Sequence, residues 1–290
     1  EFASAVLRPG AEVAEKIDDT PKEVLAQTGE FGLSLINIPE ELGGLSQERS
    51  SVTGVLVAEA LAEGDMGQAV ACLAPSAVAT AIALWGTEAQ QQTYLADFAG
   101  ANVPAAALVV NEPQAMFDPF ALATAAKKSD AGYVLNGLKS GAVRASEAEL
   151  FVIAADVEGR GPSMVIVEAN TEGVTVAADP SMGLRAAGLS RLQLTDVQVG
   201  EDAILGSVDD YREMIRLSRL GWAALALGTA KSVLDYVKDY VVTREAFGEP
   251  IAYRQAVAFT VADMAIELEG MRLVTLKAAS RADRGDDFAR

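Results

Sequence analysis

Up to about residue 100 the chain alternates Ala- and Leu-rich apolar segments with polar starts and glycine stops, the punctuation of helices. TPKEVLAQTGEFGL places Pro21 at a first helical position behind a Thr20 cap. ERSSVTGVLVAEALAEGD and GQAVACLAPSAVATAIALWG follow, and TEAQQQTYLADFAG opens on Thr87 and closes at Gly100. Near residue 103 the period shortens. VPAAALVV, GYVLNGLKS, AELFVIAAD, SMVIVEAN, GVTVAAD and RLQLTDVQVG are Val- and Ile-rich runs parted by Gly, Asn, Asp and Pro. Leu192, Leu194, Val197 and Val199 approximate inside-outside alternation, and Asn136-Gly137 predicts a tight turn. From Asp209 the helical period returns through Leu220, Ala223, Leu227, Ala230, Leu234, Val237 and Val241, a helix of about 50 Å. After a break at FGEPI, Val257, Val261, Met264, Leu268 and Met271 continue it, so two long helices make half of a four-helix bundle.

These patterns predict an α+β fold: an N-terminal helical domain (1–102), a middle antiparallel β domain (103–206) and a C-terminal long-helix domain (207–290). The last is expected to be incomplete, because the composition is still helical at Arg290.

Composition narrows the chemistry. No uninterrupted apolar run reaches about 18 residues and no secretory signal is visible, so no membrane span is expected. The single cysteine, Cys72, excludes an internal disulfide and fits a cytoplasmic setting; its Ala-rich surroundings read as core. The chain has no histidine, which removes Ser-His and Cys-His catalysis and His-ligated metals; no metal site is expected. Catalysis would need a carboxylate, Lys, Tyr, Arg or a cofactor. A net charge of −18 speaks against nucleic acid and anionic membranes as partners.

One stretch stands out. VVNEPQAMFDP (109–119) starts as a buried strand, turns at Glu112-Pro113, and then sets Met116 and Phe117 where a loop is ordinarily polar. With IPEELGG (38–44), GTEAQQQTYLADFAG, YVLNGLK (133–139), MGLRAAGLSRLQLTDVQVGEDAILG and TREAFGEPIAYRQ, it forms an ordered set of motifs that resembles the acyl-CoA dehydrogenase family. The resemblance covers residues 30–290. It implies helical, β and four-helix domains, assembled as a dimer of dimers. It also implies FAD as cofactor, an acyl-CoA substrate from fatty-acid or steroid side-chain degradation, and a flavoprotein electron acceptor. The implied reaction is α,β-dehydrogenation, in which a carboxylate takes the α proton and the flavin takes the β hydride, with no need for histidine.

Carried over by motif, Arg244 matches the residue reaching the FAD pyrophosphate of a neighbouring subunit, a task suited to a guanidinium. Phe247 and Gln255 match cofactor-side positions, and Arg219 an arginine beside the acyl-CoA channel. Asn111 stands where the family has a threonine bonded to the flavin ring. The family's Gly-Ala-Gly-Ser-Asp loop is here Gln114, Ala115, Met116, Phe117 and Asp118, which puts Phe117 at a substrate-contacting serine. Its Trp-Ile-Thr is Gly141, Ala142 and Val143, so an indole and a hydroxyl near the flavin are absent.

The base is unassigned: most members carry it beyond the position of Arg290, and the alternative helix position is Ser218. Asp209, Asp210 and Glu213 read as helix N-terminal charges. Three readings stay open. One is an FAD-dependent dehydrogenase in its own right. Another is a non-catalytic or half-site subunit that lends interface residues to a partner's FAD site in a hetero-oligomer. The third is a helical scaffold that retains only the dimer interface.

Overall fold

A computed structural model describes residues 1–100 and 102–288, so the expected unfinished end at Arg290 lies outside the described residues. Helix α1 covers Arg8–Ile17, α2 Lys22–Glu30, α3 Ser51–Ala62, α4 Met66–Trp85 and α5 Glu88–Tyr94. Local chemistry starts two of them. The Ser50 hydroxyl accepts from the Thr53 amide at α3, and Thr87 and Gln90 form a reciprocal capping box at α5. Both serve amides that no helix carbonyl can reach. The expected Thr20 cap on α2 does not form. Thr20 is buried and its hydroxyl donates to the Ala186 carbonyl at 2.7 Å, leaving Pro21 as the capping residue. By length and composition α4 could cross a membrane, yet 67% of its most apolar stretch is buried in the molecule.

The strands are β1 (Ala106–Val109), β2 (Ala125–Ser129), β3 (Gly132–Val143), β4 (Leu150–Val157), β5 (Gly161–Glu168), β6 (Val174–Ala178), β7 (Leu189–Val199) and β8 (Ile204–Leu205). They form one sheet in the order β6-β7-β3-β2-β4-β5-β8, with β1 also paired to β4. Most ladders are antiparallel as expected, but β4 runs parallel to both β1 and β2. Alternation along a strand reports which face is buried and carries no record of the partner's direction.

Asn136-Gly137 is not a turn. Strand β3 passes through it, and the hairpin turns at Asp130-Ala131 instead. Asn136 sits at a register shift against β7 and exchanges side-chain and backbone hydrogen bonds with Asp196, both at 3.0 Å. Gly137 is needed for space, since a Cβ there would lie 2.5 Å from Thr124 Oγ1. The same irregularity explains the broken alternation of β7: Asp196 takes a positive φ, and inward positions resume at Val197.

The residues gather into two compact units. The mixed unit comprises Glu12–Arg49 and Val70–Ser218. Its central strand β4 is buried on both faces. Leu150, Val152 and Ala154 pack with Ile82, Phe98, Tyr211 and Met214, while Phe151, Ile153 and Ala155 pack with Leu135, Leu192 and Leu194. The helical unit comprises Glu1–Ala11, Ser50–Ala69 and Arg219–Arg290. Helix α6 (Val208–Thr243) contributes to both units; α7 (Gln255–Asp283) belongs to the helical one. In that unit Gly228 admits the α3 backbone so closely that a Cβ would meet the Glu59 carbonyl at 2.0 Å. Glu59 pairs with Arg272 at 2.6 Å, and Asp283 at the end of α7 accepts from the Ser51 and Val52 amides at the start of α3. The stripe expected to bury α7 is only partly covered: Val257, Val261 and Leu268 are half-buried, Met264 and Met271 exposed.

Candidate functional site

The predicted site residues fall into two groups, one in each unit. In the mixed unit, Asn111 and Phe117 lie on the segment between β1 and β2, and Val143 ends β3. The stems of that segment are held by a buried carboxylate. Glu112 accepts from the Ala123 and Thr124 amides at 2.8 Å each and from Lys139 Nζ at 2.9 Å. Lys139, on β3, also donates to the Val110 carbonyl at 3.1 Å. Both side chains are almost wholly out of water. Burial alone would favour the neutral acid, but the bonds from Lys139 and the two amides outweigh it and hold the Glu112 pKa at about 2. Burial lowers the Lys139 pKa to about 8, with Glu112 opposing the shift. The pair joins the Glu-Pro and Asn-Gly-x-Lys segments, which are separate motifs along the chain. The available signal was a lysine on the inward side of an alternating strand, in line with Leu135.

Beyond the stems, Asp118 Oδ1 accepts from the Phe120 amide at 2.9 Å, and the Tyr211 hydroxyl donates to the Pro119 carbonyl at 2.5 Å. Met116 adopts φ 54° and is 100% exposed. Met116 thus holds a left-handed conformation that ordinarily suits glycine while carrying a methionine side chain. Phe117 beside it is half-buried. The Asn111 carbonyl accepts from the Ser140 amide at 3.0 Å, and its side-chain amide is exposed with no partner among the described residues. Gly141 has φ 62°, and the nearest atom to a Cβ placed there is Asn111 Nδ2 at 3.9 Å, so the space above it is open. Val143 is half-buried and brings no hydroxyl.

The carboxylates near the start of α6 are engaged locally. Asp209 pairs with Arg212 at 2.6 Å and Glu213 with Arg216 at 3.2 Å, while Asp210 accepts from the Ser207 amide and hydroxyl at 2.7 Å. Ser218 donates to Met214 Sδ at 3.5 Å. A hydroxyl with a thioether as its neighbour has no base to activate it.

In the helical unit, Arg244, Phe247 and Gln255 surround a short hairpin of Glu245–Ala246 (β9) and Glu249–Pro250 (β10). Phe247 and Gly248 form its turn with φ 58° and 85°, the two positive values of a primed hairpin. The Ile251 amide closes onto the Arg244 carbonyl at 2.9 Å. Glu249 pairs with Arg254 at 3.0 Å, and Arg254 lies 5.6 Å from the Phe247 ring centroid. Arg244 is exposed, and its guanidinium has no ionic partner among the described residues. Phe247 is 96% exposed, and Gln255 begins α7 in solvent. Arg219 is exposed on α6.

A cleft of about 370 Å³ in the mixed unit, walled by α2, α4 and residues 102–106 and 144–149, contains none of these residues. Its lining carries charged groups that pair with one another, Glu147 with Arg144 at 3.0 Å and with Lys22 at 3.5 Å, and the two clusters above are the candidate sites, each within its own unit. Among the described residues no group of His, Cys, Asp or Glu could hold a metal.

Helices, a β domain and long helices with these motifs define a flavoprotein-type class of α+β oxidoreductase. Residues 1–102, 107–197 and 209–289 match, in turn, the N-terminal, middle and C-terminal domains of acyl-CoA dehydrogenase. An acyl-CoA dehydrogenase of Bacillus subtilis (strain 168) is 31% identical over 295 residues, spanning 98% of this chain and 77% of that protein. Butyryl-CoA dehydrogenase from Megasphaera elsdenii superposes with a TM-score of 0.88 at 28% identity, covering 99% of this chain and 78% of that one. A chain in the structure of the electron transferring flavoprotein of Acidaminococcus fermentans is similar at TM-score 0.88 and 31% identity, covering 99% and 77%. The chain belongs to the acyl-CoA dehydrogenase family, whose cofactor is FAD.

Proposed function

We propose that this chain is a subunit of an FAD-dependent acyl-CoA dehydrogenase that carries out α,β-dehydrogenation of an acyl-CoA thioester from fatty-acid or steroid side-chain degradation. The observation that carries the reading is Arg244: an exposed guanidinium without an ionic partner among the described residues. Such a group suits an anionic pyrophosphate. In this reading Arg244 reaches the FAD pyrophosphate of a neighbouring subunit, with Phe247 and Gln255 on the cofactor side there. Within the mixed unit the Asn111 amide, without a partner among the described residues, bonds to a flavin ring, with Val143 nearby. Arg219 and Phe117 face the acyl-CoA. FAD, when bound, supplies the hydride acceptor, and a flavoprotein takes the electrons onward. The functional domains are 1–102, 103–206 and 207–290. The assembly is a dimer of dimers, homo- or hetero-oligomeric, in a reducing cytoplasmic compartment.

A second reading is a half-site subunit that serves a partner's FAD while its own loop has diverged. Two observations favour it: Met116 stands fully exposed at the glycine position, and Ser218 faces a methionine sulfur at the alternative base position.

Visible absorbance of the purified protein, before and after adding FAD, tests the first reading. A yellow protein that reduces an artificial acceptor with acyl-CoA supports it. A chain that stays colourless with excess FAD, yet gains bound flavin on adding an unlike subunit, leaves only the second.

A further inference from the structure

We infer that Tyr211 is a positioning residue, whose hydroxyl fixes the tip of the 113–121 loop against the first turn of α6. The loop's role toward flavin and acyl chain rests on the function proposed above; the contact itself does not.

The stems and the tip of this loop are held by different means. Glu112 and Lys139 fix both stems, because the Glu112 carboxylate accepts from the Ala123 and Thr124 amides and from Lys139 Nζ, and Lys139 in turn donates to the Val110 carbonyl. The tip lies beyond that lock. Its other hydrogen bonds among the described residues are local: the Gln114 amide to the Glu112 carbonyl at 2.8 Å, Gln114 Nε2 to Glu112 Oε2 at 3.4 Å, and the Phe120 and Ala121 amides to Asp118 at 2.9 and 3.0 Å. Local bonds shape a loop without setting where it sits. Tyr211 does set it, donating to the Pro119 carbonyl at 2.5 Å while its ring meets the Phe120 ring edge-on, centroids 6.1 Å apart at 86°.

The tyrosine is itself immobile, being 0% exposed in the core beside Met214 and Ile215. Burial, reinforced by Glu112 and Asp118, raises its pKa well above the usual phenol range, so the hydroxyl remains a donor. Tyr211, Met214 and Ser218 follow one another at helical spacing along one face of α6, and Ser218 reaches back to Met214. One hydroxyl thus ties the loop carrying Met116 and Phe117 to the helix stripe carrying Ser218.

Tyr211→Phe is the test, because it keeps the ring and its contact with Phe120 and removes only the donor. Hydrogen–deuterium exchange of the full-length protein should show residues 113–122 exchanging about tenfold faster, with strands β4 and β5 unchanged. Unchanged loop exchange overturns the contact. In the flavin-loaded protein, or its complex with an unlike subunit, the FAD Kd and the acyl-CoA KM should each rise several-fold while kcat falls less. A loosened loop with both constants unaltered overturns the positioning role. Failure of the wild type to take up FAD in either form overturns the functional reading and that role together, while exchange still decides the contact.

Discussion

Lys139 and Glu112, 27 residues apart, meet at 2.9 Å with both side chains removed from solvent. The contact joins two family motifs that look independent along the chain. It also explains why the Glu-Pro frame persists in a loop whose tip has diverged: the glutamate holds the stems, whatever the tip presents.

Removing one partner of this pair should be costly. Lys139→Met leaves a buried carboxylate with two amide donors and no counter-charge, and is expected to lose about 3–5 kcal/mol by urea denaturation. A loss below about 1 kcal/mol would show that water or another cation reaches Glu112.

The pair also sets a pH dependence. The folded-state pKa of Glu112 is about 2, below its ordinary 4.5, so its stabilisation is fully present above 4.5 and disappears as pH falls toward 2. Lys139 acts at the other end. Its pKa falls from 10.5 to about 8, so the unfolded chain binds the extra proton between those values and stability rises with pH there. Urea midpoints for wild type and Glu112→Gln, measured from pH 6 to pH 2, should converge in acid; parallel curves would refute the assignment.

Met116 holds a left-handed φ with a fully exposed side chain. Met116→Gly removes backbone strain of about 1–2 kcal/mol and returns part of it as unfolded-state entropy. The net expectation is a gain of about 0.5–1 kcal/mol with tighter FAD binding. Lower stability, read from the thermal midpoint, would mean the side chain makes contacts that matter.

Asp283 caps α3 from across the helical unit, bonding to the Ser51 amide at 2.5 Å and the Val52 amide at 3.2 Å. Asp283→Ala is expected to cost about 1–2 kcal/mol, with Asp283→Asn recovering most of it. Equal losses in the two variants would assign the effect to charge and not to capping.

Arg244→Ala should lower FAD retention at least tenfold while leaving the thermal midpoint of the flavin-free protein unchanged, since the guanidinium has no ionic partner among the described residues to lose. Undiminished flavin content after gel filtration would remove the arginine from the cofactor site.

Much of the architecture is legible along the chain, because helical and strand periods are local properties. The Thr87 box, the long helix from residue 208 and the break at Phe247-Gly248 all follow from residues within a few positions of one another. Misreadings occur where a local signal competes with a distant partner. Asn136-Gly137 has turn chemistry, yet Asp196 binds the asparagine and Thr124 packs against the glycine, so the strand runs on. Thr20 has cap chemistry, yet the Ala186 carbonyl takes its hydroxyl.

The candidate site divides the same way. By itself the sequence determined the family motifs, the absence of histidine, the substitutions at 114–118 and 141–143, and the order of helices and strands. The tertiary structure decided that Glu112 finds Lys139, that Tyr211 finds Pro119, that Glu249 pairs with Arg254, and that β4 runs parallel to two neighbours. Period and propensity depend on neighbours in the chain. Which polar groups lose water together depends on packing between segments far apart in it, and that pairing governs the chemistry.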